Sequence, residues 1–191
     1  MLEIEVKIRI GDLAPLREKL LAAGLALARE RHREINTLFD FRDRTLSRGR
    51  QALRLRVVGK TAALTFKGPP QKSRRFKIRE EFETSVRSPN QLAKILRALG
   101  LVPVFRYEKR RTVYRKGTLS ACLDELAIGN FLELEGEREK IVRLSERLGI
   151  ARSAWITRDY VQMLSEAGFG EVPPYASSFS PPESLPGNSS S

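Results

Sequence analysis

Residues 2–10, Leu-Glu-Ile-Glu-Val-Lys-Ile-Arg-Ile, alternate without exception between apolar and ionisable side chains. Successive side chains of a strand point to opposite faces. Leu2, Ile4, Val6, Ile8 and Ile10 therefore share one face, and Glu3, Glu5, Lys7 and Arg9 the other. The pattern returns along the chain. One parity carries Arg54 and Arg56 in ALRLR, Thr65 and Lys67 in LTFK, and Lys77, Arg79, Glu81 and Glu83 in KIREEFE. It also carries Lys109 and Arg111, then Glu133 and Glu135 in FLELE, with Asp124 inside LDEL. The other parity is mostly Leu, Ile, Val or Phe.

Turn signals at Gly59-Lys60, Gly68-Pro69-Pro70, Lys116-Gly117 and Gly129-Asn130 separate the strand-like runs. The further strands are predicted over Arg29–Phe39, Ala52–Val58, Ala63–Lys67, Arg75–Val86, Val104–Arg115, Thr118–Leu126 and Asn130–Glu135, about eight with the first. Helical spacing predicts a short helix after Asp12, as N-cap, and Pro15, ending at Gly24. Three more are predicted: Asn90–Leu99, Arg138–Leu148 and Thr157–Ala167. Trp155, Tyr160 and Met163 are expected to pack onto the barrel, with the last helix able to plug one mouth. From Val172 the chain is rich in Pro and Ser and lacks periodicity, so residues 171–191 are expected to be a disordered tail after a domain spanning 1–170.

Charged alternation alone could describe the wet faces of a half-exposed sheet. Two things argue otherwise: long charged side chains recur on the same face of many strands, and several helices need the apolar faces to pack on. An α+β fold meets both demands: an eight-stranded antiparallel β-barrel with charged faces inward and helices packed outside. Burying many Arg and Lys without counter-charge costs several kcal/mol per ion, so such an interior must stay wet or hold a multiply charged anion. Glu80 complicates the register, because it shares the parity of Phe76, Ile78 and Phe82. A bulge after Arg79 would bring Glu80 rather than Glu81 inward.

The formal net charge of +12 over 191 residues attracts anions: phosphate compounds, nucleic acid or acidic surfaces. Cys122 is the single cysteine, which excludes an intrachain disulfide and fits a reducing, cytoplasmic compartment. The longest apolar run, Leu20 to Ala28, is too short to span a membrane, and Glu3 leaves no room for an apolar export segment. His32, the only histidine, is expected on the surface. No Walker A loop is present, and one histidine leaves little for a Ser or Cys triad.

Seven motifs in order, Glu3-Ile4-Glu5-Val6-Lys7 (ExExK), ALRLR, LTFKGP, REEFE, KRR, LDEL and GNFLELE, resemble the CYTH family of triphosphate tunnel metalloenzymes over about residues 1–165. That family includes class IV adenylate cyclases, thiamine triphosphatases and tripolyphosphatases. The resemblance implies an eight-stranded tunnel and dependence on Mg²⁺ or Mn²⁺. It makes Glu3, Glu5, Glu133 and Glu135 the main metal carboxylates, with Glu81 and Asp124 near a second ion or the attacking water. It makes Lys7, Arg54, Arg56, Lys67, Arg79, Lys109 and Arg111 phosphate ligands. Lys109 is also a candidate to help activate water, which requires a pKa lowered by its basic neighbours.

The favoured expectation is hydrolysis of the terminal phosphoanhydride of a small-molecule triphosphate, inorganic or organic such as thiamine triphosphate. The alternative is cyclisation of ATP to cyclic AMP and pyrophosphate. A third, non-catalytic reading binds polyphosphate or nucleic acid. Carboxylates interleaved with the basic strands and the lack of an aromatic base-stacking stripe weigh against nucleic acid. A homodimer is left open.

Overall fold

The computed structural model describes residues 2–73 and 75–170, so the expected tail at 171–191 lies outside the described residues. Its strands are β1 (Leu2–Ile10), β2 (Ala26–Phe41), β3 (Ala52–Val58), β4 (Thr61–Lys67), β5 (Lys77–Val86), β6 (Leu101–Lys116), β7 (Leu119–Leu126), β8 (Gly129–Glu135) and a two-residue β9 (Trp155–Ile156). Its helices are α1 (Ala14–Ala22), α2 (Thr45–Arg48), α3 (Pro89–Ala98), α4 (Arg138–Arg147) and α5 (Tyr160–Glu166). The sheet runs β5-β4-β3-β2-β6-β7-β8-β1, and β1 also pairs with β5. Every neighbour is antiparallel, so eight strands close into a barrel. β5 covers β1 over residues 2–5, and β9 takes the same edge at Lys7 and Ile8.

Local chemistry sets the boundaries. Gly59 and Gly117, at φ 55° and 56°, occupy hairpin turns that need the left-handed region. Ser88 caps α3 by accepting from Gln91 N. The first helix differs from expectation: Leu13 is its N-cap, while Asp12 accepts from Ala14 N one residue too early to cap. The last helix starts at Tyr160 rather than Thr157, because Asp159 and Gln162 form a reciprocal capping box. The single turn α2 had no sequence expectation, and neither had β9; α2 has a local cause. Buried Asp40 holds it by accepting from Leu46 N, Ser47 N and the Ser47 hydroxyl.

The apolar strand faces point outward, under the helices. Val6, Ile8, Leu123, Leu132 and Leu134 pack with Leu16 and Leu20 of α1 and Ile141 and Leu144 of α4. Phe39, Leu55 and Ala62 pack with Ala93 and Leu96 of α3. A third cluster joins Tyr107 and Phe131 to Tyr160, Met163 and Leu164. Tyr107 and Phe131 share the inward parity of Lys109 and Glu133, so α5 seats inside one end of the barrel. Of the three C-terminal residues expected to pack onto the barrel, Trp155 does so from outside, while Tyr160 and Met163 belong to the helix that fills the mouth. No helix among the described residues is long and apolar enough to cross a membrane.

Candidate active site

The barrel encloses a cavity of about 1280 Å³, and its wall is made of the inward parity of the strands. Every basic residue expected to hold phosphate lies on it: Lys7, Arg54, Arg56, Lys67, Arg79, Lys109 and Arg111. So do Glu3, Glu5, Glu81, Glu133 and Glu135. β5 runs without a bulge, with Glu81 opposite Lys67 and Phe82 opposite Phe66. Glu81 therefore faces the lumen and Glu80 is exposed outside.

On the β6–β8 side the charges saturate one another. Asp124 shares the inward face of Arg111 and is fully buried beneath its neighbours. Its carboxylate accepts from Arg111 Nε at 2.6 Å, Arg111 Nη2 at 2.5 Å, Lys109 Nζ at 3.1 Å and the Tyr160 hydroxyl at 2.9 Å. Arg111 Nη2 also donates to Glu133 at 2.8 Å, and Lys7 Nζ lies 3.2 Å from the same carboxylate. Burial opposes the charge on Glu133, but Arg111 and Lys7 outweigh it and hold its carboxyl well below the usual range. Lys7 and Lys109 each stand 5.1 Å from the centre of the Tyr160 ring. Burial and Asp124 push the Tyr160 hydroxyl well above its ordinary value, so it stays a proton donor.

On the side where β1 meets β4 and β5, carboxylates crowd. Register sets Glu3 opposite Arg79 and Glu5 opposite both Lys77 and Glu135. Lys67 Nζ reaches Glu3 at 2.6 Å and Glu81 at 2.7 Å. Even so, burial, with Glu5 and Glu81 close by, raises the Glu3 carboxyl to about 7. Burial, Glu133 and Glu5 likewise raise Glu135. Glu5 goes the other way: burial is outweighed by Lys7 at 2.6 Å and Lys77 at 2.8 Å, which hold it far below the usual range. Among the described residues, no three carboxylates converge into a ready-made cation cage, because lysines and arginines occupy them.

Several residues of the site were not anticipated. Glu34 is buried on β2, and Lys109, Arg111 and Arg56 overcome its burial to lower its carboxyl to about 2. His32, expected on the surface, lines the cavity 3.4 Å from Glu34. Lys77 lies on the recognised parity but was left out of the expected ligands, and Asp159 of the α5 cap stands 3.5 Å from Arg79. Asp124, expected beside an ion or the attacking water, is inward-facing and fully buried, with its carboxylate covered by Arg111, Lys109 and Tyr160.

A closed barrel with this interior is shared with known proteins. A candidate adenylate cyclase of Methanocaldococcus jannaschii is 29% identical over 84% of this chain and 94% of its own length. A candidate adenylate cyclase of Vibrio parahaemolyticus superposes with a TM-score of 0.78 at 20% identity, covering 86% of this chain and 98% of that one. HpAC1 from Hippeastrum, described as a candidate adenylyl cyclase with a dominant triphosphatase activity, superposes with a TM-score of 0.62 at 22% identity over 87% of this chain and 96% of its own. Residues 1–153 match the CYTH domain, and with that match, over a barrel lined by charged side chains, the chain belongs to the CYTH family.

Proposed function

We propose that this chain is a divalent-metal-dependent triphosphatase that cleaves the terminal phosphoanhydride of a linear triphosphate. The observation that carries the reading is the Glu3–Glu81 corner. There, buried carboxylates stand together so closely that one of them holds its proton to about pH 7, with cations packed around them. Neighbouring carboxylates on a shielded wall suit hard cations bound through oxygen, so the donor set fits Mg²⁺ or Mn²⁺. Glu3, Glu5, Glu133 and Glu135, with Glu81, are the residues that would hold such ions. When bound, they would neutralise phosphate charge and help orient the attacking water.

The chain's own residues do the rest. Lys7, Arg54, Arg56, Lys67, Arg79, Lys109 and Arg111, joined by Lys77, bind phosphate oxygens; phosphoryl transfer asks mainly for positioning and charge neutralisation. Lys67 bridges Glu3 and Glu81, so it is placed to exchange a carboxylate for a phosphate oxygen as substrate enters. Glu81 then orients the attacking water. Lys109, ion-paired with Asp124, is assigned to phosphate rather than to water. Asp124 acts at one remove, holding Arg111, Lys109 and Tyr160 in place. Closure of one end by α5 keeps bulk water from that side of the phosphates.

Cyclisation of ATP is the second reading, favoured by the naming of the M. jannaschii relative. The activity described for HpAC1 favours hydrolysis. To decide, the protein is incubated with Mg²⁺ or Mn²⁺ and, separately, tripolyphosphate, thiamine triphosphate and ATP, beside a Glu3→Gln, Glu5→Gln variant. Orthophosphate release that the variant abolishes is the expected result. Cyclic AMP with matching pyrophosphate would establish the cyclase, and no product from any substrate would sink both.

A further inference from the structure

Outside the barrel, between the start of β5, α4 and the 3₁₀ turn Arg152–Ala154, lies a second, smaller cleft of about 320 Å³. Arg75, Arg138, Arg143 and Arg152 converge on it, with Glu139 the only acidic residue in its lining. Arg152 is paired with Glu146 at 3.1 Å, whereas no described carboxylate lies within ion-pair reach of Arg75, Arg138 or Arg143. Its floor is aromatic. Trp155 is half-buried and fixed in orientation, because its indole N–H donates to Ser145 Oγ at 3.1 Å. Phe76 packs at 5.3 Å between ring centres with a 58° tilt. Phe76 also lines the barrel cavity, so one ring separates the two spaces.

We infer that this cleft is a second ligand site, distinct from the tunnel, for an anion that carries a planar ring: a nucleoside phosphate. The indole, pinned by its hydrogen bond, offers a stacking surface without needing to be ordered on binding. The unpaired guanidinium groups supply planar forks that match phosphate oxygens. A purely inorganic phosphate would leave the aromatic floor unused. A long nucleic acid would call for a stacking stripe, and this site has room for one ring.

Trp155 is the only tryptophan in the chain, so its emission reports on the cleft that it lines, and the tunnel variant Arg56→Gln separates any contribution from the barrel. The test titrates the full-length protein with AMP, which has no anhydride to cleave, and follows Trp155 fluorescence, with calorimetry as a second readout. Saturable quenching is expected, with ribose 5-phosphate binding more weakly than AMP. Arg138→Gln, Arg143→Gln changes two exposed side chains, leaves the melting temperature unchanged, and should raise the dissociation constant for AMP by about tenfold or more. Arg56→Gln, in the tunnel, should leave it unchanged. Four results overturn the inference: no saturation by AMP, full quenching in the double arginine variant, loss of quenching in Arg56→Gln, or equal affinity for ribose 5-phosphate. Quenching by single-stranded oligonucleotide but not by AMP also overturns it, in favour of a nucleic-acid surface.

Discussion

Two walls of one cavity are built by the same alternation, yet they differ in electrostatic state. Around Asp124, each charge has its opposite: four hydrogen bonds reach one carboxylate, and Arg111 spans to Glu133. Around Glu3, burial, reinforced by Glu5 and Glu81, outweighs the pull of Lys67, and one carboxyl is left protonated to about pH 7. The saturated wall holds its cations in fixed positions, since its groups are paired with one another. The crowded wall stores unfavourable interaction that a bound cation can relieve, which is where binding should be strongest.

That contrast can be broken most severely at Asp124. Asp124→Asn leaves Arg111 and Lys109 buried beside a neutral amide and should lower the unfolding free energy by about 3–5 kcal/mol, read by urea titration. A loss below 1 kcal/mol would mean that the wall is not saturated as described. The crowded wall should respond with the opposite sign at neutral pH. A carboxyl raised from 4.5 to about 7 favours the folded state fully below about pH 4.5 and loses that contribution as pH rises to about 7. Glu3→Gln removes the group, so wild type should lose stability relative to the variant between pH 5 and pH 8, by about 1–3 kcal/mol. A gap that stays flat over that range would place the titration elsewhere. The finest test is Tyr160→Phe, which takes one of four bonds from Asp124 and leaves its cations in place. It should cost about 1 kcal/mol in urea unfolding and leave the pH profile unaltered.

Much of this architecture was legible because parity survives without knowing the register. In β1, β3, β4 and β8 the apolar and charged residues separate cleanly, so the lumen-facing set could be read directly. β2 resists the same reading. Arg29, Glu30, Arg31, His32, Arg33 and Glu34 put charge on both faces, and register shifts interrupt its pairing with β6 before His32. Only pairing tells Glu34, which faces Lys109, from Arg31 and Arg33, which bind Glu125 and Glu108 outside. Tyr160 was hidden for another reason. The cap that starts α5 is a local signal, but the return of that helix into the barrel end is set by contacts more than fifty residues away in sequence, at Tyr107. The Glu80–Glu81 ambiguity needed β4, whose Phe66 and Lys67 fix which neighbour faces in.

The closing strand has a consequence for how the protein is made. β1 comes before every other described strand, yet its partners are β5, β8 and β9, the last ending at Ile156. Glu5 therefore cannot meet Glu135 until β8 has left the ribosome, and such non-local pairing is slow to form. Until then β1 waits with an unpaired edge and an apolar face in need of cover. A polypeptide cut short before β8 would carry Glu3, Glu5 and Glu81 but lack Glu133 and Glu135 and leave the barrel open, so the lumen is complete only once β8 has been made.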